Sequence, residues 1–394
     1  MKKTSLPFSA EMEKRYDSLV ALRRDFHRHP ELGFQETRTA TIIAESLAKS
    51  GLEVRTGIAG TGVVGVLHGD QPGRTVAWRA DIDALPIAEA VESPFVSVNE
   101  GVMHACGHDG HTAIALTLAD LLAERRADLP GTVVFIFQPA EEALGGAQKM
   151  LDEGVLDNPS VETILGLHLL AFLPTGRVMV RPGPSFASAD FFNIEVRGVG
   201  GHGALPHLSV DPITVAAHIL IGMQDLVSRG IPATDTAVLT VGQIEAGSKH
   251  NIIPETAILR GSLRAYKQKI RDQLVERLGT FVSRIAQAYR AEARLNLEGE
   301  FCPAVDNDPG VTERVRLGAV AELGEEAVSE GTPIMGSDDV SLMLQARPGC
   351  YFAVGVGYPG EVVTHHQSKF HIDEAGLRVA LRVALRSIMD AVRP

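Results

Sequence analysis

Apolar positions along this chain repeat at two periods, and the changes between those periods mark out its elements. Met12, Tyr16, Leu19, Val20 and Phe26 recur at helical spacing ahead of Pro30, which predicts an opening helix. A second helix is expected from roughly Glu36 to Ser50, closing at Gly51, because glycine takes the left-handed conformation that ends helices. Short apolar runs then alternate with helical patterns. Strands are expected over Gly62–Leu67, Thr75–Arg79, Thr132–Phe137 and Thr163–Leu167, with helices from about His111 to Arg126 and around Ala147. A strand as uniformly apolar as VVFIF reads as buried on both faces, the pattern of a parallel sheet.

From about Phe186 to Glu300 the pattern changes. A strand (ADFFNIEVRG), a helix (Pro212–Ser228), two strands (AVLTVGQIEAG and AILRGSLRAY), a long helix (Gln268–Arg290) and a strand (ARLNLEG) follow one another. That βαββαβ order is a complete two-layer, ferredoxin-like unit. The α/β alternation then resumes with YFAVGVG and a closing helix, Glu374–Val392. The expected fold class is α/β: a first domain (1–186 and 301–394) with a mostly parallel sheet flanked by helices, interrupted by an inserted α+β domain (187–300). A chain of 394 residues exceeds the size of one core, which agrees with two domains.

The net charge of −12 argues against nucleic acid, whose phosphates call for a basic face. No stretch reaches the ~20 apolar residues that would cross a bilayer, and the N-terminal stretch lacks the apolar run of a secretory signal. Three cysteines, Cys106, Cys302 and Cys350, are too few for a disulfide framework, so a reduced cytoplasmic setting is expected.

Candidate chemistry collects at strand ends. VAWR runs into Ala80-Asp81-Ile82-Asp83, VFIFQPA into Glu141-Glu142, and ILGL into His168. Sites of open α/β sheets form beyond the carboxyl ends of their strands. MHACGHDGHT adds Cys106 and His108, with Asp109 and His111 nearby, and Val363-Thr364-His365-His366 supplies a fourth segment. Each piece alone fits a structural role, but thiolate, imidazole and carboxylate together form a ligand set suited to Zn²⁺, Mn²⁺, Co²⁺ or Ni²⁺. A cysteine nucleophile is the rival reading. It leaves the acids unexplained, because carboxylates disfavour a thiolate that a metal would favour.

These segments resemble the hippurate hydrolase and indole-acetyl-amino-acid hydrolase branch of the aminoacylase and carboxypeptidase G superfamily. The resemblance runs through LRRDFHRHPELGFQE, RADIDALP, MHACGHDGHT, FQPAEE, GLH, GGHGALPH, NIIPE, GSDD and the His-x-x-x-Phe of HQSKF. It implies an amidohydrolase with two divalent metals, Zn²⁺ or Mn²⁺ first, and an inserted lid domain through which the chain dimerises, with a tetramer as a further form. Cys106 would lie between the metals, with His108 and Glu142 on one side and His168 and His366 on the other. Glu141 would be the general base, and Asp83 or Asp81 would orient a ligand. His202 would stabilise the oxyanion, while Asn251, Arg264 and His207 would bind substrate. Two positions depart from the pattern. His365 stands beside His366 as a competing ligand, and Gly336-Ser337-Asp338-Asp339-Val340 replaces a usual Gly-Ser-Glu-Asp-Phe.

The expected reaction is hydrolysis of an N-acyl amino acid to a carboxylic acid and a free amino acid. A metallo-exopeptidase, carboxypeptidase or dipeptidase, is the nearest alternative. A non-catalytic dimeric binding protein on the same fold is the other. The 5% aromatic content offers no obvious platform for selecting an aryl acyl group.

Overall fold

The computed structural model describes residues 9–142 and 145–394, apart from the side chains of residues 9 and 300. By contacts the chain forms two compact units. One holds the residues up to Gly183 with Asp306–Thr332 and Asp339–Pro394; the other holds Pro184–Val305 with Pro333–Asp338.

The first unit is built on an eight-stranded sheet. Its strands lie in the order Glu53–Ile58, Gly62–His68, Pro130–Gln138, Gln71–Asp81, Thr163–Pro174, Gly349–Gly357, Val178–Met179, Val328–Ser329. The middle of the sheet, from Pro130–Gln138 to Gly349–Gly357, is parallel. Antiparallel pairing is confined to the flanks. Phe135, Phe137, Trp78, Leu165 and Phe352 are buried within it, as expected of strands covered on both faces. The helix His108–Glu124 is buried on every side from His108 to Ala119, so it shows no amphipathic stripe. It packs against Ser9–Arg28 and Ala375–Ala391.

Three differences from the expected elements bear on the site. The helix expected from about His111 starts at His108, launched by Gly107 in the left-handed region (φ 100°). The strand expected to stop at Leu167 runs on to Pro174, because it gains a parallel partner in Gly349–Gly357. Its pairing with the opposite neighbour nevertheless ends at Arg79↔Gly166, so His168 lies just past that strand's last pair. The helix Pro309–Leu323 falls outside the expected elements. Its signal is nevertheless present: Asp308 accepts from the Val311 N–H at 2.8 Å, and Pro309 occupies the first turn.

The second unit is an antiparallel four-stranded sheet ordered Ala237–Ala246, Thr256–Ala265, Ala189–Arg197, Glu292–Cys302. With the helices Pro212–Gly222 and Gln268–Ala288 this is the βαββαβ arrangement. The helix expected over Pro212–Ser228 is broken at Met223 into two pieces. Phe192, Ile194 and Val196 of one strand share a buried core with Leu274, Leu278 and Val282 of the long helix. Among the described residues no helix is long and apolar enough to cross a membrane.

Candidate metal centre

Five segments of the first unit converge on one pit. The strand Gln71–Asp81 ends in Asp81, with Asp83 just beyond. The Gly107 turn presents Cys106 and His108, the loop after Pro130–Gln138 presents Glu141 and Glu142, and Thr163–Pro174 presents His168. His366 comes from the loop after Gly349–Gly357, and its N–H donates to the Ala105 carbonyl at 2.9 Å.

Donor atoms of Cys106, His108 and His168 lie within 4.8 Å of one another, as do those of Cys106, Glu142 and His366 and those of His108, Glu141 and Glu142. Cys106 Sγ is 3.6 Å from His168 Nε2. The other His168 nitrogen, Nδ1, donates to the Leu169 carbonyl at 2.9 Å, which leaves Nε2 turned to the thiol side with its lone pair. His366 Nε2 lies 3.0 Å from Glu142 Oε1, yet that oxygen makes no aligned hydrogen bond among the described residues. His108 Nε2 is likewise buried without a hydrogen-bond partner among them. Buried polar atoms left this way are costly unless something else satisfies them, and a cation would satisfy both.

The two aspartates do different work. Asp83 Oδ1 sits 3.2 Å from His108 Nδ1, and its Oδ2 accepts the Glu142 N–H at 2.9 Å. One carboxylate thus holds a histidine and a glutamate of the pit together. Asp81 Oδ1 accepts from His111 Nδ1 at 2.6 Å, while His111 Nε2 accepts the Leu169 N–H at 2.9 Å. Both His111 nitrogens are therefore committed, and His111 orients the pit without a spare lone pair.

Electrostatics are those of a cation hole. Burial pushes the Cys106 thiol well above its ordinary value, and Glu142, Glu141 and Asp81 push it further. Burial opposes charge on His108, but Asp81 and Asp83 outweigh it and carry its pKa up to about 10. Asp81 is held well below the carboxylate range despite burial, by His108, His111 and Arg79. Protons thus sit on the thiol and on His108 when no metal does. Bound M²⁺ would replace them, and the donor set fits it.

His365 and His366 separate cleanly. His365 Nε2 accepts the Ala171 N–H at 3.2 Å, and burial drops its pKa to about 3. Its ring packs against that of His168, with centroids 5.3 Å apart. His366, with φ 61° and a half-exposed side chain, is the one that meets Glu142 and Cys106.

The loop carrying Glu141 is held from behind by residues to which the sequence assigned no such role. Ala140 lies in the left-handed region (φ 52°), a conformation that costs about 1 kcal/mol for alanine. Its N–H donates to Glu36 Oε1 at 2.9 Å, and Glu36 Oε2 accepts from Thr61 Oγ1 at 2.5 Å. A Cβ on Gly33 would come within 3.0 Å of Ala140, which explains a glycine in HPELGFQE. Arg79, Gln138 and Asp339 are also buried behind the pit. A charged residue inside an apolar strand was the available sign for Arg79.

The remaining candidates lie in the second unit. Gly201-His202 pairs with Ile252-Ile253, and the Gly203 N–H donates to the Asn251 carbonyl at 2.9 Å, so His202 and Asn251 are neighbours. His202 is exposed, and its Nδ1 accepts the Ala204 N–H at 3.0 Å. His207 is exposed on the short helical turn Pro206–Leu208. Arg264 is half-buried, and its Nη1 donates to the Met335 carbonyl at 3.1 Å and lies 3.4 Å from Ser337 Oγ.

An α/β domain with such a pit of thiol, imidazole and carboxylate donors defines a metallohydrolase-type centre. The pattern of Peptidase family M20/M25/M40 matches residues 77–390, and the chain belongs to this family. It is 41% identical over 364 residues to the N-acetylcysteine deacetylase of Bacillus subtilis, covering 92% of this chain and 93% of that one. It is 39% identical over 356 residues to IAA-amino acid hydrolase ILR1-like 2 of Arabidopsis thaliana, covering 90% and 80%. Among solved structures, a Bacillus subtilis dinuclear metal-binding peptidase from the M20 family superposes with a TM-score of 0.83. Their sequences are 35% identical, over 96% of this chain and 98% of that one.

Proposed function

We propose that this protein is a two-metal amidohydrolase that cleaves N-acyl amino acids to a carboxylic acid and a free amino acid. The observation that carries the reading is a pair of buried donor atoms, His108 Nε2 and Glu142 Oε1, that make no aligned hydrogen bond among the described residues, within a pit that also gathers Cys106, His168 and His366. Cys106 would serve both metals, with His108 and Glu142 on one side and His168 and His366 on the other. This borderline donor set favours Zn²⁺ or Mn²⁺, with Co²⁺ and Ni²⁺ as workable substitutes. Divalent cations bound there supply Lewis acidity, polarising the amide carbonyl and making water a competent nucleophile near neutral pH.

The chain's own residues do the rest. Glu141, buried beside the ligand Glu142, takes a proton from the attacking water as its oxygen bonds to the carbonyl carbon. As the C–N bond breaks, Glu141 returns that proton to the leaving nitrogen. Asp83 holds His108 and Glu142 in register throughout. His202 is assigned to the carbonyl oxygen as it gains charge, and Asn251, Arg264 and His207 to the substrate carboxylate end. The second unit is assigned the lid and dimerisation roles, and the cytoplasm is the assigned compartment.

The test is an assay of metal-reconstituted protein on N-acetyl, N-benzoyl and N-indoleacetyl amino acids beside dipeptides. Cleavage of at least one N-acyl series, abolished by chelation and restored by metal, is expected. Cleavage of dipeptides alone would replace the reading with an exopeptidase, and no cleavage of any substrate with metal bound would replace it with a binding protein.

A further inference from the structure

Arg79 is a fully buried guanidinium in the apolar strand Gln71–Asp81. Its Nε donates to Gln138 Oε1 at 2.8 Å, and Nη1 donates to Asp81 Oδ2 at 2.7 Å and to the Tyr351 hydroxyl at 3.3 Å. Nη2 donates to Asp339 Oδ1 at 3.2 Å. A guanidinium presents its N–H groups in one rigid plane, so these bonds fix the two carboxylates relative to each other.

Each carboxylate passes the constraint on to a different half of the pit. Asp81 holds His111, and His111 holds the Leu169 N–H next to His168. Asp339 Oδ1 accepts from Gln138 Nε2 at 2.6 Å, and Oδ2 accepts the Ala147 N–H at 3.1 Å. Gln138 ends the strand that leads into Glu141 and Glu142, and Ala147 lies in the helix Gly146–Asp152. A buried ion pair gives little stability beyond what apolar packing would give, so a positional role is what this arrangement adds.

We infer that Arg79 and Asp339 are positioning residues that set the distance between the His168 side of the ligand set and the segment that carries Glu141 and Glu142. The inference rests on the ligand assignment proposed above.

The experiment strips the full chain of metal and titrates it with Co²⁺, whose visible ligand-field bands report donor geometry. Wild type is compared with Asp339→Asn, Arg79→Lys and Arg79→Met. Asp339→Asn and Arg79→Lys are expected to melt cooperatively, to bind Co²⁺ about 10–100-fold more weakly and to show shifted bands. Their kcat falls by a similar factor while KM stays near wild type. Lysine restores the charge but not the planar fork, so Arg79→Lys recovers melting temperature relative to Arg79→Met without recovering the bands. Folded Asp339→Asn and Arg79→Lys with wild-type affinity and bands would overturn the inference and leave the ligand assignment standing. Loss of the cooperative melt in both would make the hub a scaffold feature and overturn it equally. Wild type that takes up no Co²⁺ would instead overturn the ligand assignment.

Discussion

The pit of the first unit and the His202 turn of the second are both rich in histidine, but they are built in opposite ways. In the pit, His108, His111 and His168 are buried, and each has at least one ring nitrogen held by a carboxylate or a backbone group. At the turn, His202 and His207 are exposed, and His202 Nδ1 accepts the Ala204 N–H two residues on. A ligand held in place before its cation arrives binds it about 10–100-fold more tightly than one stripped of its supporting partners. A residue that acts on substrate gains from freedom to approach it.

That contrast sets the size of each expected effect. Cys106→Ala removes the donor shared by two of the candidate ligand groups, so metal content should collapse and hydrolysis fall by at least about 10³-fold, or about 4 kcal/mol of barrier. Metal analysis and initial rates on the same preparation check it. His202→Ala should behave differently, losing about 10²-fold in kcat with metal content intact and stability within about 0.5 kcal/mol of wild type. If His202→Ala also lost metal, the two regions would not be distinct in the way proposed.

Proton competition sharpens the comparison further. His108 titrates at about 10 in the metal-free fold against an ordinary value of 6.5. The stability this shift confers on the metal-free protein is complete below pH about 6.5 and is lost as pH rises through about 10. Metal must displace that proton and the Cys106 proton, so affinity should rise with pH by about tenfold per unit for each proton displaced. Chelator competition between pH 6 and 8.5 measures the slope, and a flat profile would contradict it. The smallest effect belongs to the support behind Glu141. Gly33→Ala brings a Cβ to 3.0 Å from Ala140. It should cost about 1–3 kcal/mol of stability, read as a lower melting temperature.

Much of this was legible in the sequence, for physical reasons that differ by residue. Helix starts and apolar strands exposed the α/β and βαββαβ patterns, because both periods follow from burial. Cys106, His108, Glu142 and His168 could be gathered because their segments end at one sheet edge. The division of labour between Asp81 and Asp83 was not legible. It depends on which oxygen meets His108 and which meets His111, a matter of angstroms. The spacing to Phe370 favoured His366 over His365 in the sequence, but what separates these neighbours physically was not legible: His366 takes a left-handed backbone and His365 turns to the Ala171 N–H. Arg79 and Asp339 lie 260 positions apart, and only folding reveals them as partners.

The central claim is that Glu141 moves protons while its neighbours hold metal. Glu141→Ala separates the two roles, with metal content and hydrolysis of an N-acyl amino acid measured on one preparation. Metal near the wild-type level with hydrolysis reduced by orders of magnitude is the predicted result. Hydrolysis persisting at the wild-type rate, or metal lost along with activity, would contradict it.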